Sequence, residues 1–439
     1  MEASTETMKL PKHDRMTVAI LTVFFAILIF HAMFNPDKIL FSTDDNLGTI
    51  AQIKSHLPNA FIGYWSDSPL LGSGNGRVPL GWTSLWMRLL PSSIFKNWYH
   101  ALNLVGASIF LALFLRDRGL SVPSQVMGLL TAFWLGSNLT LTYAGHMLKY
   151  PTLFLAMATF WCITRAVCQH GVAWSLFTGV ALGLMFLEQQ DVAIFICFFV
   201  AAFGLYEFIR VNGLRIPALI LRFIPMLICA LLISGPTLLA IYASNISATK
   251  DKSSSPAEVP QQKWEFATQW SWPPEECIDF IAPGYLGWRS GEPEGPYWGR
   301  MGRSAGWEQT HQGFMNFKLE NHYIGAIPVF LALFALFVVL INRTARPGPP
   351  FESTGVQTLS KAEIIFWSCA ALIALLLSFG KYFPLYYLFY HLPLISSIRN
   401  PNKFLHIFQI AMGILAAYGF DLAIRSRATD AAEIKKFSR

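Results

Sequence analysis

Apolar positions in this chain gather into runs of membrane-spanning length separated by short polar breaks. Runs at 18–34, 99–115, 122–143, 152–167, 172–187, 192–209, 223–242, 323–341, 364–379 and 404–423 predict about ten transmembrane helices. The expected architecture is therefore all-α, a polytopic integral membrane helical bundle. Two shorter helical patterns lie between the first two runs. From Asn46 to Pro58, Leu47, Ile50, Ala51 and Leu57 recur at helical spacing, with Thr43 or Asp44 placed to cap the start. Further on, Trp82, Leu85, Trp86, Leu89 and Leu90 follow i, i+3, i+4, i+7, i+8 up to Pro91. One aromatic, apolar face of that kind predicts a helix lying in the membrane interface.

Composition agrees with the pattern. Charged residues are 13% of 439 positions, about half the roughly 25% of soluble domains, and mean hydropathy is +0.42. The first run follows Lys9, Lys12 and Arg15 as a signal peptide would, but the bulky "IFHAMFNP" offers no small-residue cleavage site, so a retained anchor is expected. Of six cysteines only Cys277 falls in a long loop, which implies no disulfide framework.

Charge sets the expected orientation. With the N-terminus inside, 17 of the 33 basic residues fall in about 75 cytoplasmic positions and 16 in about 176 outer ones, a bias that predicts N-in, C-in. The excess of +7 then lies on the cytoplasmic side, a topology signal and not a nucleic-acid surface. Three regions follow: a core at 1–243 with its first outer loop at 35–98, an aromatic Gly/Pro-rich outer loop at 244–322, and C-terminal helices with a short tail at 323–439. A flexible inner linker is expected at 347–355.

Ionised groups at the lipid boundary that topology does not require are candidates for chemistry. Asp44 and Asp45 follow the first run, and His146 and Lys149 ("AGHMLKYP") link the third and fourth. Glu188 and Asp191 ("LEQQD") link the fifth and sixth, and Arg399 and Lys403 ("SIRNPNKF") precede the last. All fall on the outer side. Carboxylates can accept a proton from a hydroxyl or hold a divalent metal, and cations can stabilise a departing phosphate. Each has a plainer alternative: helix capping for Asp44 and Asp45, an interfacial histidine for His146, turn polarity for Glu188 and Asp191, and headgroup anchoring for Arg399 and Lys403. The long outer loop carries six of the fourteen tryptophans, and "PPEECIDFI" predicts a short helix with proline at its start. Such a loop can cover a cavity, with Trp288 and Trp298 stacking on sugar faces; an aromatic belt at headgroup level is the alternative. "LLGSGNGRVP" (Gly72, Gly74, Gly76, Arg77) lacks the βαβ context of a phosphate loop.

This layout, with an acid early in the first outer loop, interface helices beside it and a second long outer loop after the seventh run, resembles the GT-C class of polyprenyl-phosphate-sugar-dependent glycosyltransferases. The "GH..K" element and "IRNPNKF" running into "AAYGFDL" are similar to the YfhO-like bacterial membrane proteins. The resemblance implies that Asp44 or Asp45 is the catalytic acid/base or a ligand of Mg²⁺ or Mn²⁺, and that Lys149 or Arg399 binds the donor phosphate. Where that class carries a second acidic pair, after the third run, this chain has His146 and Lys149. The expected activity is transfer of a hexosyl or pentosyl group from a membrane lipid-linked donor to a glycan, lipid or protein acceptor, with the site facing the exterior or periplasm of a bacterial cytoplasmic membrane. Two other readings share the scaffold: a transporter or flippase of a lipid-linked sugar, and a non-catalytic accessory protein.

Overall fold

The computed structural model describes residues 12–66, 72–76, 78–169, 171–250, 258–341, 361–392 and 395–437; Arg77 and the linker 347–355 lie outside them. Among the described residues, sixteen α-helices run in chain order with one short hairpin. They are α1 (Lys12–Phe30), α2 (Leu47–Ser55), α3 (Trp82–Leu89), α4 (Ser92–Asp117), α5 (Val122–Phe133), α6 (Ser137–Ala144), α7 (Lys149–Gln169), α8 (Val172–Glu188), α9 (Gln190–Asn212), α10 (Ile216–Lys250), α11 (Glu258–Thr268), α12 (Trp307–Thr310), α13 (Ala326–Ile341), α14 (Lys361–Ser378), α15 (Pro384–Tyr390) and α16 (Phe404–Phe437). The hairpin, β1 (Tyr64–Ser66) with β2 (Ser73–Gly76), is antiparallel. Among the described residues, seven helices are long and apolar enough to cross a membrane: those of α1, α4, α7, α9, α10, α14 and α16; two apolar helices, α8 and α13, are shorter.

The expected third span is not continuous. The run 122–143 breaks at Trp134–Gly136 into α5 and α6, and Gly136 adopts φ +61°, where an added Cβ would stand 2.1 Å from the Tyr323 carbonyl oxygen. A break within an apolar bundle frees carbonyls that no water reaches, so side chains must take them. Asn138 donates to Ala132 O (3.1 Å), and the Gln409 amide donates to Thr131 O (3.3 Å) and Leu135 O (3.2 Å). Ser137 in turn donates to the Gln409 carbonyl (2.7 Å).

Packing runs through α16, which lies against α5, α13 and α14, and through α7, which lies against α4, α8 and α9. Small residues set the closest approach. A Cβ on Gly413 would sit 2.8 Å from both Ala132 Cβ and Gly128 O, so α16 and α5 touch backbone to backbone. Phe114, Phe160, Phe203 and Trp367 meet ring to ring at the centre.

Beyond the end of the bundle that carries the α6–α7 turn, the chain builds the long loop between α10 and α13. "PPEECIDF" forms the expected short helix, as a 3₁₀ segment at Pro274–Phe280 that buries Glu276 and Asp279. Lys318, also fully buried, ion-pairs with Glu276 (3.3 Å) and with Asp279, and stands 5.0 Å from the Trp272 ring and 5.1 Å from that of Tyr297. Burial pushes the Glu276 carboxyl up, against the pull of Lys318.

Candidate functional site

The segment "STDDN" anneals onto the end of α6. Thr43 N–H donates to Tyr143 O (3.1 Å) and Asp44 N–H to Ala144 O (3.2 Å), supplying the helix-end carbonyls with partners. Gly145, at φ +87°, lets the strand approach; a Cβ there would lie 2.7 Å from Asp45 N and 2.9 Å from Asp44 N. The cap of α2 is neither Thr43 nor Asp44. Asn46 takes that role, its Oδ1 accepting from Thr49 N–H (3.0 Å), because it is the residue with extended backbone next to the first helical turn. Both aspartates are thereby released from capping.

Their environments differ. Asp45 Oδ2 accepts from Met147 N–H (2.9 Å), and the Asp45 carbonyl accepts from Lys96 Nζ (2.7 Å) and Ser42 Oγ (3.0 Å). Burial raises the Asp45 carboxyl above its ordinary range, with the Met147 amide and Lys96 opposing. Asp44 is exposed, and its Oδ2 lies 3.3 Å from His146 Nε2. Burial, then the nearby Lys149 ammonium, pushes the His146 imidazole down to about 4, with Glu320 and Asp44 opposing.

His146 and Lys149 line a cavity beside Asn400, Asn402 and Lys403, with Glu320 at its side and Trp270, Met301, Phe317 and Leu319 of the long loop over it. Its volume is about 20 Å³, room for water and not for a sugar. Lys149 reaches in from the first position of α7 and is 4% exposed; its ion-pair partner among the described residues is Glu320 at 3.7 Å, beyond hydrogen-bond range. Lys403, from the 3₁₀ turn before α16, pairs with Asp191 in the first turn of α9. Three of the expected residues therefore share one cavity, and Asp44 and Asp191 pair with two of them at its rim.

Four others stand apart. Glu188 turns away to the start of α3, where its carboxylate accepts from Thr83 N–H (3.1 Å) and from the Thr83 hydroxyl. Its carboxylate thus sits at the start of a helix, where a negative charge is favoured. Arg399 is exposed, its guanidinium 5.2 Å over the Phe266 ring, and does not line the cavity. Trp288 and Trp298 are 45% and 62% exposed on the outer surface, Trp298 6.3 Å from Tyr285. The cavity roof is instead Trp270, because the turn bearing Trp288 is drawn aside toward α6, where Arg289 lies 5.2 Å over the Tyr143 ring.

The structure also brings in residues the sequence reading passed over. Glu320, Asn321 and His322 precede α13, and His406 enters from α16; all are at most 3% exposed. Glu320 Oε1 lies 3.4 Å from His322 Nε2. Burial pushes the Glu320 carboxyl up, but Lys149 and His322 outweigh it and hold it well below the usual carboxylate range. Glu320 Oε2, both His406 ring nitrogens, Asn400 Oδ1 and Asn402 Oδ1 have no hydrogen-bond partner among the described residues. Unpaired buried polar atoms beside a cavity are costly unless something fills it. The boundary rule that picked Lys149 applies equally to "KLENH" (residues 318–322), and an ionisable residue inside a span marks His406.

Asp45 gives one oxygen to the Met147 amide, Asp44 faces His146, and among the described residues no group of three or more His, Cys, Asp or Glu is placed to hold a metal ion. No family model and no curated protein matches the chain.

Proposed function

We propose that this chain is a membrane glycosyltransferase of the GT-C kind, moving a sugar from a polyprenyl-phosphate carrier to an acceptor glycan, lipid or protein. In this reading about ten segments cross the bilayer, counting α8, α13 and the α5–α6 pair with the seven long helices. Both termini are cytoplasmic, and the cavity faces the outside of a bacterial cytoplasmic membrane. One observation carries the proposal: in a chain poor in charge, His146, Lys149 and Lys403 come from distant segments to one cavity, with Asp44 and Asp191 at its rim. Ionised groups gathered at a lipid boundary are expensive unless they serve a ligand.

The roles follow from the chemistry. Lys149 and Lys403 receive the negative charge that accumulates on the leaving lipid phosphate. The corner formed by Asp44, Asp45 and His146 takes the proton of the acceptor hydroxyl. The roof of Trp270, Met301, Phe317 and Leu319 lifts to admit the donor, since the closed cavity is too small for it.

The test is transfer by the purified chain in proteoliposomes, using polyprenyl-phosphate hexose and pentose donors with a radiolabelled sugar. Replacing both Asp44 and Asp45 by Asn is expected to lower transfer sharply with insertion unchanged. Lys149→Ala is expected to cost about 10²-fold in kcat/KM. Transfer at the wild-type rate in the double variant discards the proposal, and donor translocation without transfer assigns the scaffold to a flippase. The same assay with EDTA, then with Mg²⁺ or Mn²⁺, measures metal dependence.

A further inference from the structure

We propose that the proton acceptor at this site is His146, oriented by Asp44, and that Asp45 is a positioning residue. The inference rests on the transferase reading and divides the labour within its acidic corner. Of the three groups, only His146 lines the cavity. Asp44 has 64% of its side chain in solvent, with one carboxylate oxygen 3.3 Å from His146 Nε2. Asp45 is tied by its carboxylate to Met147 N–H and by its carbonyl to Lys96 and Ser42, which fixes the turn that carries His146.

The Asp44 contact selects the tautomer. With the proton on Nε2 facing the carboxylate, the lone pair is on Nδ1. In the step, the acceptor O–H proton passes to Nδ1 as the acceptor oxygen bonds to the anomeric carbon. The bond from that carbon to the phosphate oxygen breaks, and its electron pair leaves with the lipid phosphate toward Lys149 and Lys403. The imidazolium so formed is stabilised by Asp44 and Glu320 and opposed by Lys149 and Lys403, the charged groups that face it. Depression of the free imidazole to about 4 keeps it unprotonated near neutral pH, as a base requires.

Two measurements test this. In the proteoliposome assay, His146→Gln is expected to lower kcat about 10²–10⁴-fold with donor KM little changed. Asp44→Asn is expected to lower kcat less and to move the acidic limb of the pH profile, while Asp45→Asn acts through stability of the turn. Full kcat in His146→Gln, with loss confined to an aspartate variant, overturns the proposal in favour of a carboxylate base. Absence of transfer by the wild type fails the transferase reading itself, so the second measurement needs no turnover. Nitrogen-15 shifts of labelled histidine in nanodiscs, assigned with His146→Gln, are expected to show His146 neutral and protonated on Nε2 at pH 7, with that bias lost in Asp44→Asn. A proton on Nδ1 in the wild type, or no change in Asp44→Asn, refutes the dyad.

Discussion

Asp44, Asp45 and Asn46 are adjacent in sequence and do three different things: the first faces His146, the second braces the α6–α7 turn, and the third caps α2. Removing the cap in Asn46→Ala should cost about 1 kcal/mol. Asp44→Ala, which takes away only an exposed contact, should change stability by less than about 0.5 kcal/mol. Thermal unfolding in detergent distinguishes them, and equal losses would mean that Asp44 shares the capping. Glu320 gives a prediction with a pH dependence. Its folded carboxyl titrates well below its ordinary value of 4.5, so its contribution to stability is complete above that value and is lost as pH falls through the folded pKa. Glu320→Gln should therefore be less stable than the wild type at pH 7, with the gap closing below about pH 4.5. A gap that widens on acidification would contradict the ion pairing with Lys149 and His322.

Within the first loop, α2 buries Ile50 as a soluble helix would, whereas α3 divides its apolar stripe. The apolar stripe of α3 predicts its existence and its limits, yet the structure buries Thr83, Ser84 and Met87 and leaves Leu85 and Leu89 exposed at 47% and 63%. Trp82, Trp86 and Leu90 of the same stripe pack against the buried cluster of Ile50, Leu57, Met87, Phe95 and Tyr99, and Glu188 meets the first turn of the helix. Hydrophobic pattern thus located the helix, and packing divided its stripe between a buried and an exposed side. The α5–α6 break was legible only as the local interruption Gly136-Ser137-Asn138 in 122–143; the rest of what holds it, Gln409 and Tyr323, comes from elsewhere in the bundle. Gln409→Leu strips donors from two freed carbonyls and should cost about 1–3 kcal/mol for the groups left unsatisfied. A melting temperature equal to that of the wild type would show that other groups carry the break. Cavity residues were legible where a charge stands at a loop–helix boundary, as for His146, Lys149 and Lys403. Aromatic residues were not, since Trp270 and Trp288 look alike in sequence and only tertiary packing sends one to the roof and the other outside.

Across the whole molecule, both ends of the bundle pair buried charge, Lys318 with Glu276 and Asp279 and Lys403 with Asp191 at the cavity end. At the cavity end, polar atoms of Glu320, His406, Asn400 and Asn402 lack partners among the described residues. At the far end, ionised groups are joined to one another. Arg118, which closes α4, donates through Nε to both oxygens of Glu363 on α14 (2.8 and 2.9 Å) and through Nη2 to Glu207 on α9. Glu207 also accepts from Arg210 (2.7 Å), and Asp117 accepts from Arg165 (2.7 and 2.6 Å) and Trp161 (2.8 Å) on α7. Four helices, α4, α7, α9 and α14, are fastened together there. Breaking one buried partner leaves the others uncompensated, so Arg118→Met should destabilise the chain by about 3–5 kcal/mol. Neutralising the stranded carboxylates as well, in Arg118→Met with Glu207→Gln and Glu363→Gln, should recover part of that loss, because the penalty comes from unpaired charge more than from the missing contact. Thermal denaturation in detergent reads both effects. If the fastening is structural only, transfer per folded molecule stays at the wild-type level in the triple variant. An undiminished melting temperature in Arg118→Met would show that the far end does not hold the bundle together.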